Sequence, residues 1–166
     1  PLIHRPGGPA VTDVYTEEKR SAIMSRIRAK NTKPEVFVRK LLFARGFRFR
    51  IHKAGLPGRP DVVLQKWRTV VFVHGCFWHA HEGCRRAAKP ASHAGFWAEK
   101  LAGNKARDRE VVEALTAAGW RVLVVWECAC RVKFAAPLSD RMEAFIREGK
   151  ASMGEIGRED LDASES

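Results

Sequence analysis

Four side chains suited to a single metal ion constrain this chain more than anything else in it: Cys76, His81, Cys84 and Cys128. The first three form a Cys-x4-His-x2-Cys run within His74-Gly75-Cys76-Phe77-Trp78-His79-Ala80-His81-Glu82-Gly83-Cys84, and the fourth lies far downstream. Zinc takes four tetrahedral sulfur or nitrogen ligands, so a local triplet plus one remote ligand clamps a loop onto a distant strand. Buried thiols beside a packed histidine would not explain so many metal-binding residue types on one short loop. Cys130 competes with Cys128 for the fourth place. Cys128 follows an apolar strand that would present it rigidly, which favours it and leaves Cys130 a spare thiol. His74 and His79 exceed a closed four-ligand site and are free for chemistry.

A length of 166 residues fits one domain with a moderate core. The net charge of +11 is large for that size and points to a polyanionic partner, with nucleic acid the natural one. The charge is uneven: residues 151–166 hold five acids against Arg158, which leaves the remainder near +15. Residues 17–50 carry eleven Lys or Arg and three acids. No apolar run approaches the ~20 residues of a membrane span. Residues 1–12 lack a hydrophobic signal core and read as a flexible basic arm, 13–150 as a single domain, and 151–166 as an acidic disordered tail. Zinc-type cysteine spacing without a secretion signal fits a reducing cytoplasm. A monomer is expected.

Along the chain, Thr16 can cap a helix through about Lys30. Thr32 and Glu35 match a capping box for a second helix, whose buried stripe is Phe37, Val38, Leu41 and Leu42 and which Gly46 ends. Phe47–Ile51 alternates as a strand with its arginines outward. Asp61–Gln65 and Thr69–His74 read as a hairpin around Trp67. With the turn centred there, Asp61 lies opposite Val73, its carboxylate beside the Val73 carbonyl and next to His74. That pairing suits magnesium, which prefers hard oxygen ligands and keeps several waters. A helix or helix pair follows from about Phe96 to Ala118, with Asn104 and Asp108 on its apolar stripe. Arg121–Trp126 reads as a buried strand and Leu138–Glu148 as a last helix. Helices before and after a compact set of strands indicate an α/β sandwich.

The order of motifs resembles the very short patch repair (Vsr) DNA mismatch endonucleases. The strings are Asn31-Thr32-Lys33-Pro34-Glu35, Leu56-Pro57-Gly58-Arg59-Pro60-Asp61, Val71-Phe72-Val73-His74-Gly75-Cys76-Phe77-Trp78-His79, Phe96-Trp97-x-Glu99-Lys100, Asn104-x-x-Arg107-Asp108 and Gly119 through Cys128. The resemblance spans about residues 13–131. It implies a restriction-endonuclease-like fold, a mixed β-sheet flanked by helices, with a structural zinc loop. It further implies a magnesium-dependent nick 5′ of the T in a T·G mismatch left by 5-methylcytosine deamination, on double-stranded DNA, and partnership with the MutL mismatch-repair protein. By position, Asp61 and the Val73 carbonyl would ligate Mg2+, His74 and His79 would be the catalytic histidines, and Glu35 a supporting acid. Phe77, Trp78 and Trp97 match aromatics that wedge into the duplex.

Phosphodiester hydrolysis needs an activated water, charge stabilisation and a proton for the leaving oxygen, which a metal-bound carboxylate and histidines can supply. Base and acid stay open between His74 and His79. Glu35 reads equally as cap or catalytic group, and Trp97 also fits the buried helix stripe. The chain departs from the family pattern at Ser92-His93 and in the one-residue-longer His81–Cys84 spacing. A zinc-stabilised binding module without catalysis accounts for the charge and the zinc but leaves Asp61, His74 and His79 without a role. A same-fold nuclease of other specificity is the second alternative.

Overall fold

Val70–Val73 and Val122–Trp126 are continuous apolar runs, the pattern of strands covered on both faces. In the computed structural model, which describes residues 30–162, they form the centre of a four-stranded sheet. The elements in chain order are α1 (Lys33–Ala44), β1 (Val62–Leu64), β2 (Thr69–His74), α2 (Ala94–Ala117), β3 (Arg121–Trp126), α3 (Ala135–Glu148), β4 (Met153–Ile156) and α4 (Arg158–Asp162). The strands lie in chain order. β1 is antiparallel to β2, while β2, β3 and β4 are mutually parallel. Parallel neighbours need long crossovers, and α2 and α3 provide them.

Period-two alternation sends successive strand residues to opposite faces. Val62, Leu64, Val71, Leu123 and Val125 pack with Val38 and Leu42 of α1 and Leu138, Met142 and Ile146 of α3. Val63, Val70, Phe72, Val122 and Val124 face the other way, onto Leu115 of α2 and Trp120. The result is the expected mixed α/β architecture with helices on both faces of the sheet.

Four expectations change. The hairpin pairs Val62 with Val71 and Leu64 with Thr69, which centres its turn between Lys66 and Trp67, half a residue before the centre expected at Trp67. A one-turn 3-10 segment, Gln65–Trp67, closed by Arg68 in the left-handed region, makes the connection four residues long. Phe47–Arg50 keeps its alternating burial, but Ile51 is exposed and the ladder is a single bridge, Arg50 to Val63, because His52 at φ 52° turns the chain away. The helix or helix pair expected from about Phe96 to Ala118 is a single helix, Ala94–Ala117, of 24 residues. Finally, the expected acidic tail supplies β4 and α4: β4 pairs with β3, and Ile156 and Leu161 are buried in the main core. Acid content suggested solvation, but the charges sit on the exposed positions while every apolar residue in β4 and α4 turns at least partly inward. The helix expected over Thr16–Lys30, the arm 1–12 and residues 163–166 lie outside the described residues.

Leu161→Ala tests the placement of this segment. Truncating a core leucine leaves a cavity, so stability in urea is expected to fall by about 2–4 kcal/mol; an unchanged midpoint would return the segment to a solvated tail.

Candidate active site and metal centre

β2 and β3 end level, His74 opposite Trp126, and the chain delivers a cysteine two residues beyond each end. One ligand atom from each of Cys76, His81, Cys84 and Cys128 lies within 4.8 Å of the others. The loop is folded by main-chain bonds from His81 N–H to the Cys76 carbonyl (2.9 Å) and from His79 N–H to the Gly75 carbonyl (3.1 Å). His81 Nδ1 is 3.6 Å from Cys128 Sγ and so faces the cysteines, while Nε2 is 3.1 Å from Glu159 Oε1. The Arg158 backbone N–H donates to Cys128 Sγ at 3.4 Å. The Cys128 thiol is drawn down to about 5, chiefly by the hydrogen bond from Cys76, with help from the Arg158 amide and His81. The same bond, with burial, pushes the Cys76 thiol up, so without a metal the pair holds one thiolate and one thiol. This Cys3His set fits a structural zinc. Cys130 stands outside it: its thiol donates to the Trp126 carbonyl, and burial pushes it up to about 12.

The second cluster converges from four elements. Asp61, just before β1, accepts the Val73 N–H on Oδ2 at 2.7 Å. The contact is thus to the amide of Val73, where the expected register brought the carbonyl. Burial pushes Asp61 up to about 6 against the pull of that hydrogen bond, and Glu35 adds to the rise. Arg39 of α1 donates to Glu35 Oε2 (3.3 Å) and to the Asp61 carbonyl (3.4 Å), fixing both acids. The rings of His74 and His79 stack at 3.8 Å and 4°. His79 Nδ1 lies 2.6 Å from Asp108 Oδ2 on α2. Burial, then repulsion from His79, lowers His74 to about 3, so it is neutral across the physiological range. Glu35, Asp61, Val73, His74, His79 and Asp108 line one cavity of about 230 Å³. Gly58, at φ +72°, sets its wall, since a Cβ there would fall 2.5 Å from Val111 on α2.

Beside the histidines, Phe77, Trp78 and Trp97 form an edge-packed aromatic cluster with centroids 5.1–6.0 Å apart, extended by Phe96. Asn104 of α2 donates to the Trp78 carbonyl at 2.9 Å. Phe77 and Trp78 are half-buried, Trp97 is 5% exposed and Phe96 49% exposed, so Trp97 supports the cluster from below.

A family model described as DNA mismatch endonuclease Vsr matches residues 12–86. The chain is 50% identical over 118 residues to the type II nicking enzyme V.XorIIP of Xanthomonas oryzae pv. oryzae, covering 71% of this chain and 86% of that one. It is 42% identical over 139 residues to the DNA mismatch endonuclease Vsr of Escherichia coli, covering 82% and 88% respectively. The chain belongs to the Vsr family of DNA-nicking endonucleases. The type II nicking enzyme V.NmeAIP of Neisseria meningitidis is 45% identical over 140 residues, which is 84% of this chain and 98% of that one. Among solved structures, the catalytic domain of the homing endonuclease I-Bth0305I matches with a TM-score of 0.48 at 16% identity, over 73% of this chain and 100% of that one.

Within this family member, Glu35, Asp61, Val73, His74 and His79 meet at one place, and the three aromatics at another beside it. Asp108 is the group missing from the expected set. Its signal was present, an acid on the apolar stripe of α2, but only the tertiary fold shows that it faces His79. Glu35 forms an ion pair with Arg39, four residues on.

The Asp61 pKa gives a pH-dependent prediction. Its folded value of about 6 lies above the usual 3.8, so ionisation opposes folding; the penalty is absent below about pH 4 and complete above about pH 6. Metal-free Asp61→Asn is therefore expected to gain on the order of 2 kcal/mol over the parent at pH 8. In thermal melts that gain should fade as pH falls to 4. A variant less stable than its parent at pH 8 would contradict the burial penalty.

Proposed function

We propose that this chain nicks duplex DNA on the 5′ side of the T in T·G mismatches arising from 5-methylcytosine deamination, by magnesium-dependent phosphodiester hydrolysis. The observation that carries this reading is the pairing of consecutive loop residues with two different tasks: Trp78 in an aromatic cluster and His79 on Asp108. Recognition and cutting then lie side by side. The family description, DNA mismatch endonuclease, supports the same substrate.

The donor set around the cavity suits a hard cation. Asp61 keeps Oδ1 for it, Glu35 and Asp108 add carboxylates nearby, and a buried acid whose charge is disfavoured gains most from a cation. Magnesium held by Asp61, with the Val73 carbonyl, would neutralise phosphate charge and acidify a water. The other duties fall to the chain. His74, neutral, is an acceptor or donor but cannot arrive carrying a second proton. His79 is the proton carrier: Asp108 takes its Nδ1–H and leaves Nε2 to accept a proton from the attacking water as that water's oxygen bonds to phosphorus and the phosphorus–oxygen bond to the leaving group breaks, the leaving oxygen taking its proton from solvent. Glu35 and Arg39 hold the opposite wall. Zinc in the Cys3His set is structural and takes no part in the chemistry.

A second reading is favoured by two relatives named as type II nicking enzymes, namely that the chain is a same-fold nuclease of different specificity, cutting duplexes other than T·G mismatches. Single-turnover nicking of a labelled duplex panel at saturating protein separates the two. The T·G duplex should be cut fastest; preferential cutting of another duplex would transfer the substrate to the second reading. On the preferred duplex, Asp61→Asn is expected to lower the rate by ~10² or more, and His79→Ala by about 10²–10⁴ with an altered pH profile. Parental rates in both would place the chemistry elsewhere.

The aromatic cluster makes a separate prediction. A mispaired base is easier to unstack, so apolar wedge energy is realised selectively there. Trp78→Ala should therefore reduce affinity for the T·G duplex more than for the T·A duplex in equilibrium binding, so that discrimination between them falls. Equal loss on both would make Trp78 a packing residue.

A further inference from the structure

The segment after Gly149 meets the Cys3His group at two points that the proposed chemistry leaves unused. The Arg158 backbone N–H donates to Cys128 Sγ at 3.4 Å, and Glu159 Oε1 lies 3.1 Å from His81 Nε2, the ring nitrogen turned away from the cysteines. The same segment is anchored by Ile156 and Leu161, 4% and 1% exposed, and by β4 in register with β3. Gly157 leaves the carboxylate its place: a Cβ there would fall 2.4 Å from Glu159 Oε1. Glu82, the nearest acid in sequence to His81, is instead paired with Lys105 at 2.8 Å.

An ion pair to an acid 62% exposed is, as a contributor to stability, worth little. Its geometry points to another role. A histidine that ligates through one nitrogen commonly donates its other N–H to a carboxylate, which fixes the tautomer and ring orientation and makes the ligating nitrogen more basic. Here His81 is 6% exposed, its Nδ1 faces the cysteines, and Nε2 has Glu159.

We propose that Glu159 is the positioning carboxylate of His81, and that β4 with α4 is a latch whose docking and the binding of zinc stabilise one another. This rests on the zinc reading of Cys76, His81, Cys84 and Cys128. The coupling is reciprocal: a latch that preorganises His81 and Cys128 raises zinc affinity, and zinc holds the latch closed by the same free energy.

The experiment uses the full chain and zinc itself, competed with a chromophoric chelator. Glu159→Ala is expected to weaken zinc binding about 10-fold. Glu159→Gln, whose amide oxygen still accepts Nε2–H, should recover part of the loss. Gly157→Ala, which displaces the carboxylate, should resemble Glu159→Ala, and Glu155→Gln on the adjacent strand should bind as the parent does. The metal-free melting temperature of Glu159→Ala should match the parent, because the side chain is mostly exposed. Hydrogen exchange reads the latch: zinc should slow exchange of the β4 amides in the parent and slow it less in Glu159→Ala. Parental zinc affinity in Glu159→Ala, or equal slowing in both proteins, overturns the proposal and leaves the zinc reading standing. A folded parent that binds no zinc removes both.

Discussion

The parallel pairing of β2 with β3 is the constraint on which the site depends. Because Thr69 pairs with Arg121 and His74 with Trp126, the two strands stop at one line, and both carboxyl ends open on the same edge of the sheet. Ligand sites in open α/β sheets gather outside the carboxyl ends of the strands for this reason. The equal two-residue overhangs bring Cys76 and Cys128 together, and the loop that completes the cysteine–histidine group carries His79 back across His74. A structural zinc site contributes on the order of 10 kcal/mol in small domains, far more than a loop of this length can gain by packing alone. The metal group and the proposed cutting group are thus two outcomes of one strand register.

Electrostatics then separates the roles of chemically similar groups. Burial acts on Asp61 and His74 in opposite senses, raising one and lowering the other, since in each case it disfavours the charged form. The same cavity therefore offers an acid that benefits from a cation and a histidine that stays neutral. His79 differs from His74 because Asp108 is within 2.6 Å. Pairs of titratable groups whose surroundings push them apart are how one site performs both acid and base work. Trp126 adds a mechanical link, stacked on His81 at 4.2 Å and set edge-on to His74 at 5.4 Å.

Much of this was legible in the sequence, and the remainder failed for definable reasons. The metal set could be read because ligand chemistry restricts residue type and number, and Cys128 could be preferred to Cys130 because a strand end fixes direction. β2 and β3 were read to the residue, since a buried parallel strand has no polar interruption. The Asp61 register was missed by one because turn length, not apolar pattern, decides where a hairpin centres. The main chain compensates, so the carboxylate still reaches Val73, by its amide. β4 and α4 were hidden by composition: five acids outweighed two buried apolar residues, although burial of a few side chains decides folding. Asp108 lay on the right stripe, but a helical stripe does not reveal which strand end it faces.

Asn104 and Asp108 are one turn apart on α2, a rise of about 6 Å, and they hold adjacent loop residues, the Trp78 carbonyl and the His79 ring. The helix therefore acts as a graduated rule laid along the loop. In the proposed function, whatever base step Trp78 met, the phosphate presented to His79 would stand at an offset fixed by a rigid rod of 24 residues. The choice of which bond to break would then be a measurement of length made by the fold, and one that no change confined to the aromatic cluster would recalibrate.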